Sequence, residues 1–396
     1  MSSIKSNAFT LPYTFFREPG AKVITDLKAA GLSGINLALN YHASRDFLLR
    51  QGPQLEYLSD GFHYYQVDKS KYETGALTPA EFDQLPSNQL LENVLAEAAK
   101  QDFEVNAWAV YMHNSAIGMT HPSATVTNVF GNKFLSELCP INKAVQGYAL
   151  GMTKDLAGRG VNAIMAESLH FHGARHGEHH ERFFMELSPV TEFLFSLCFC
   201  EACKTNFTGD ANSLAQKIKQ LLQVVFDDKD PWLGKALTKE FLAEILGPEI
   251  LQYLSAREDA VSDLYSRAVA IAHAAGVKFK YEDQSPLIDI KSTNSLAKSW
   301  EIGINNQQIA AVVDCFEPLI YRPTDSEVAD LASSYQQTVS TKVSAILRPT
   351  YPDCTEKDNL IKKVDRLKQL NITEIDFYLL DTFRARDLEW IKAAIA

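Results

Sequence analysis

An α/β fold, a (β/α)8 TIM barrel with large insertions after strands 2 and 4, is the architecture this sequence predicts. Three observations predict it. Eight short apolar runs can be counted, they are near-continuously apolar, and most are followed by a helical pattern. A parallel sheet covered on both faces requires such strands, because neither side of the strand meets water. Eight strands alternating with helices is the count of a barrel. An open doubly wound sheet usually has fewer strands and a Gly-rich first turn, and no GxGxxG occurs here.

The runs are 8–16 (AFTLPYTFF), 34–41 (GINLALNY), 104–112 (EVNAWAVYM), 161–169 (VNAIMAESL), 277–283 (VKFKYED), 313–321 (VDCFEPLIY), 342–348 (KVSAILR) and 372–381 (ITEIDFYLLD). Helices are expected over 20–30, stopped by Gly31, and over 87–100, opened by Pro-Ser-Asn. Others are expected over 142–156, 356–370 and 385–396. Two connections are oversized. Residues 42–86 are aromatic and polar, while 170–276 hold a His-rich stretch, a Cys triplet and helices near 211–227 and 238–274. In a barrel both fall on the C-terminal face, where active sites are built. A single domain over 1–396 with these insertions is the simplest organisation.

Composition narrows the function classes. The net charge of -11 disfavours a nucleic-acid surface. The N-terminus lacks the apolar core of a signal peptide, and no apolar run approaches membrane-spanning length. Six cysteines are too few for a disulfide scaffold in a chain of 396 residues. A reducing cytoplasm is the expected setting. A homo-oligomer is compatible with all of this.

Three of the six cysteines form Cys198-x-Cys200-x-x-Cys203. Three thiolates this close suit tetrahedral zinc, which needs a fourth ligand, and Cys139 is the natural candidate. Small buried residues of a helix are the bland reading of the same pattern. A structural zinc here would pin the long insertion to the barrel without touching substrate.

Glu167 closes the buried run VNAIMA, where desolvation raises a carboxyl pKa and suits it to general acid work. Acid/base work by a carboxyl pair needs a second carboxylate. Glu317, which interrupts an otherwise apolar run, is the first choice and Glu282 the second, with Asp283 and Asp381 also at strand ends. A salt-bridged barrel residue, with Arg348 as partner, is the alternative for each. His170 and His172 alternate in an extended segment, followed by His176, His179, His180 and Glu181. They can bind substrate, form a solvated loop, or hold a catalytic metal with a carboxylate. Other strand ends supply a lining that suits the faces and hydroxyls of a small carbohydrate: Tyr41, His42, Trp108, Tyr111, His113, Asn114, Arg348 and Tyr351.

A Cys after strand three, a Glu ending strand four and a downstream CxCxxC resemble the family 42 β-galactosidases and related clan A glycoside hydrolases. The resemblance covers about 104–203 together with the strand count. It implies a TIM barrel, a structural zinc on the cysteine set, and Glu167 as acid/base. Two positions depart from the family pattern. Ala166 stands before Glu167 in place of Asn, and the strand-seven end, Ile346 to Tyr351, lacks a carboxylate until Asp353. The leading expectation is a glycosidase with Glu167 and either Glu317 or Glu282. The alternatives are a metal-dependent sugar isomerase, lyase or aldolase using the His-rich segment, and a non-catalytic carbohydrate-binding barrel.

Overall fold

The computed structural model describes residues 4–50, 52–83, 89–175, 182–288 and 292–396. Eight parallel strands form the centre: β1 (Asn7–Thr10), β2 (Gly34–Ala38), β3 (Glu104–Val110), β4 (Ala163–Glu167), β5 (Lys278–Asp283), β6 (Cys315–Pro318), β7 (Ala345–Leu347) and β8 (Ile375–Phe377). They are ordered β6-β5-β4-β3-β2-β1-β8-β7. The ring closes between β6 and β7 through the parallel bridges Phe316–Val343 and Leu319–Ile346. The (β/α)8 barrel is therefore present.

Around it lie α1 (Gly20–Ala29), α2 (Leu90–Lys100), α3 (Lys143–Ala157), α4 (Glu249–Ala274), α5 (Asn306–Ala310), α6 (Asp325–Thr338), α7 (Lys357–Gln369) and α8 (Ala385–Ile395). Successive strand residues point to opposite faces. Ile35, Leu37, Ala107 and Ile164 join the layer under the helices, whereas Phe9, Ala38, Trp108, Met165 and Ile346 fill the barrel axis. Both faces are apolar, which is why the runs read as continuous. Local signals fix the helix starts: Asn142 caps α3 by accepting from the amides of Ala144 and Val145, and Thr324 forms a capping box with Glu327 on α6.

The lower axis is polar. Lys280 donates to Glu317 at 2.8 Å and also bonds Glu374, which bonds Lys342 in turn. Asp376 accepts from Asn7 and Asn36. Burial pushes Glu317 up to about 7 against the pull of Lys280. Burial opposes ionisation of Glu374, yet Lys280 and Lys342 hold it at about 2.

Some boundaries differ from the sequence reading. The run 8–16 stops at Thr10, because Pro12 takes the first position of a helix, Pro12–Arg17. The helix expected over 238–274 is two, Lys239–Leu246 and α4. Gly247 at φ 92° and Pro248 break it. The described part of α2 begins at Leu90, and the proposed cap residues Pro86, Ser87 and Asn88 lie outside the described residues. A third decorated connection, not expected from the sequence, follows β3 as a hairpin, Thr125–Thr127 with Lys133–Leu138.

Candidate active site and metal centre

Parallel register brings Glu167 on β4, Glu282 on β5 and Glu317 on β6 into one row across three neighbouring strands. Ala166 pairs with Tyr281, one residue before each of the first two, and Glu282 pairs with Glu317. Glu167 accepts from Trp108 Nε1 at 2.7 Å and from Gln284 Nε2 at 3.0 Å. Burial raises its pKa, and His42, Trp108 and Gln284 oppose the rise. Glu282 is pushed well above the usual carboxylate range, first by burial and then by the charges of Glu167 and Glu317. Its Oε2 has no hydrogen-bond partner among the described residues. Two buried carboxyls that repel each other and share the donors Trp108 and Gln284 hold one proton between them more readily than none or two.

The sequence's first choice for the second carboxylate is placed otherwise. Glu317 is fully buried, bound to Lys280 and to Ser344 at 3.1 Å. Glu282, the second choice, is the one that faces Glu167. Asp381 accepts from Thr10, Leu11 and Thr14 beneath the first connection. Arg348 pairs with Asp353 at 3.0 Å and lies 4.2 Å over the Tyr321 ring, so it is not the partner of either glutamate.

Aromatic side chains wall the carboxyl pair. Tyr41 meets Trp108 edge-on at 4.7 Å and lies 3.2 Å from Tyr378 through their hydroxyls. His42 stacks on His113 at 5.2 Å, His113 lies 6.0 Å from His172, and His172 lies 4.9 Å from His170. The four imidazoles thus form a row along the mouth. His170 donates to Phe171 O through Nδ1, and burial lowers its pKa. Ser168, directly after Glu167, takes φ 59° and turns the chain toward this row.

Three expected lining residues go elsewhere. Tyr111 bonds Thr153 on α3 at 3.0 Å within the outer core. Asn114 caps the helix Ser115–Thr120. Tyr351 is 79% exposed. His176, His179, His180 and Glu181 lie outside the described residues. Gln284 lies two places beyond Glu282, which is the signal that points to it, whereas Tyr378 lies inside the 372–381 run and becomes a strand-end residue only because β8 stops at Phe377.

The four expected cysteines do gather. Cys139 Sγ lies 3.5 Å from Cys203, 3.6 Å from Cys200 and 3.9 Å from Cys198. A metal held by four thiolates at roughly 2.3 Å has sulfur–sulfur edges of about 3.8 Å, so the set has the right size. All six cysteines are free thiols. Cys200 starts the helix Glu201–Asn206 with Cys203 one turn on, Cys139 follows the hairpin after β3, and the Thr127 amide donates to Cys198 Sγ at 3.4 Å. This buried cluster could hold a metal ion, and among the described residues it is the one group of its kind. His170 and His172 do not close around a carboxylate in that way.

No protein-family model matches this sequence, and no curated protein does. Solved structures do match. A β-galactosidase from the psychrophilic Marinomonas ef1 is 10% identical with a TM-score of 0.58, over 99% of this chain and 59% of that one. The catalytic domain of a Paenibacillus polymyxa β-amylase is 9% identical with a TM-score of 0.56, over 99% and 97%. α-L-fucosidase isoenzyme 2 from Paenibacillus thiaminolyticus is 9% identical with a TM-score of 0.53, over 100% of this chain and 49% of its own, so the chain spans about half that enzyme. At these identities the likeness is one of fold. No helix among the described residues is long and apolar enough to cross a membrane.

Proposed function

We propose that this protein hydrolyses a glycosidic bond of a small carbohydrate with Glu167 and Glu282 as its two carboxyl groups. The observation that carries the reading is their pairing on adjacent strand ends, buried, sharing Trp108 and Gln284. The barrel's structural neighbours that act on glycosides support it at the level of fold.

The environments divide the roles. Trp108 and Gln284 donate directly to Glu167, while Glu282, which feels the same two donors, keeps one oxygen without a partner among the described residues and has two like charges beside it. The shared proton therefore resides on Glu282, which protonates the leaving oxygen, and Glu167 acts as the anion that attacks or activates water. This exchanges the role that the resemblance implied for Glu167. Tyr41, Trp108 and Tyr378 present aromatic surface to the sugar ring, and the imidazole row presents donors to its hydroxyls. Zinc is our assignment for the cysteine cluster, where thiolate ligands and a closed tetrahedral set leave no open position for chemistry. Its role is to fasten the insertion after β4 to the connection after β3.

A panel of nitrophenyl glycosides tests the reading. Turnover is expected with the wild-type protein and a loss of about 10²-fold or more in Glu167→Gln and Glu282→Gln. Activity surviving both substitutions would refute it. A second reading, a carbohydrate-binding barrel without turnover, is favoured by the small exposure of the pair, 4% and 3%. It requires sugar binding by the wild type with no hydrolysis of any member of the panel.

A further inference from the structure

Beyond His172 the barrel mouth opens into a cavity of about 600 Å³ between the β4 insertion and the segment after β5. Phe193, Leu197 and Leu237 face Leu287 and Ile302 across it, so its walls are largely apolar. Arg257 of α4 lines the same cavity although it is only 3% exposed. Its guanidinium lies 4.3 Å over the Phe171 ring. Its Nε and Nη1 are buried without a hydrogen-bond partner among the described residues.

An arginine cannot shed its proton, so bare buried donors are costly unless something binds them. The cysteine sulfurs act on Arg257 through space but accept no hydrogen bond from its Nε or Nη1. The other charges of the lining offset each other. Arg175 pairs with Glu192 at 2.6 Å, and Lys298 is matched in charge by Glu301. Within the lining Arg257 is, among the described residues, the one cation without an acidic partner, with the cysteine sulfurs as negative charge behind it. A planar guanidinium also matches a carboxylate in shape.

We propose that this cavity is a subsite for an acidic sugar, with Arg257 binding the carboxylate of a hexuronate unit and Phe193 and Leu237 packing against its ring. The placement of that unit beside a cleaved bond rests on the glycosidase reading; the acid group rests on the cavity alone.

Calorimetric titration of the full-length protein with glucuronate, glucose and glucose 6-phosphate decides it. Glucuronate should bind at least tenfold more tightly than glucose. Arg257→Met should abolish that preference, and Arg257→Lys should retain part of it. Ala236 lies exposed on the cavity wall, so Ala236→Trp should block glucuronate while leaving the melting temperature and metal content unchanged. That variant keeps the test decisive if Arg257→Met fails to fold or loses metal. Equal affinity for glucuronate and glucose, a preference that survives Ala236→Trp, or tighter binding of glucose 6-phosphate would each overturn the assignment. Uronate binding without any glycoside turnover would sink the glycosidase reading alone. Turnover of neutral glycosides with no uronate preference would sink the subsite alone.

Discussion

Glu282 is a buried acid surrounded by its own kind, and this gives the protein a specific pH signature. Burial, Glu167 and Glu317 raise its folded pKa above its unfolded value. The folded state therefore holds a proton that the unfolded state has released, and stability falls as pH rises from the ordinary carboxyl range, about 4.3, toward the folded pKa. The decline attributable to one such proton is about 1.4 kcal/mol per pH unit. Glu282→Gln removes it, so thermal unfolding across pH 4.5 to 8 should show a flatter curve for the variant, with its relative stability greatest at the alkaline end. Trp108→Phe addresses the other carboxyl. It deletes the 2.7 Å donor to Glu167, raises that pKa further by removing a bond to the anion, and leaves a buried acceptor short at about 1–3 kcal/mol. Denaturant unfolding should show that loss, and kcat/KM should drop about tenfold or more.

At the level of elements, the cysteine set makes the clearest prediction. Cys198→Ser should lower bound metal from about one ion per chain to almost none, measured by elemental analysis, and expose the helix Pro189–Ser196 to limited proteolysis. A thiolate-independent metal content would refute the site. The strands and the cysteines were legible because their signals are local: continuous apolar runs for a sheet covered on both faces, and a CxCxxC spacing for a cluster. The choice between Glu282 and Glu317 was not legible. The register pairs the two with each other, and only the side-chain bond from Lys280 to Glu317 separates them. Tyr111 was misplaced for a related reason. Its neighbour Val110 fills the axis while Tyr111 bonds Thr153 outside it, and the face to which a strand-end residue turns depends on a phase that composition does not give. The break at Gly247-Pro248 is carried by the residues themselves, a positive-φ glycine followed by a proline, within an otherwise continuous helical pattern.

For the whole molecule, the barrel axis divides into a polar floor and an aromatic mouth. Lys280 holds the floor by bonding both Glu317 and Glu374. Lys280→Met leaves these carboxyls without their shared cation and should cost about 3–5 kcal/mol in denaturant unfolding, more than the exposed pair Lys204–Glu201 could contribute. The insertion after β4 has its own apolar core, running from Val190 through Leu222 to Leu254, separate from the layer under the barrel helices. Cys198, Cys200 and Cys203 come from the insertion and Cys139 from the connection after β3, and all four pack in the barrel layer. The insertion thus docks on the barrel through its cysteines as well as through α4, which runs from one core into the other. A chelator that strips metal from the cluster should loosen the insertion first, so calorimetry should resolve a smaller transition for it below that of the barrel.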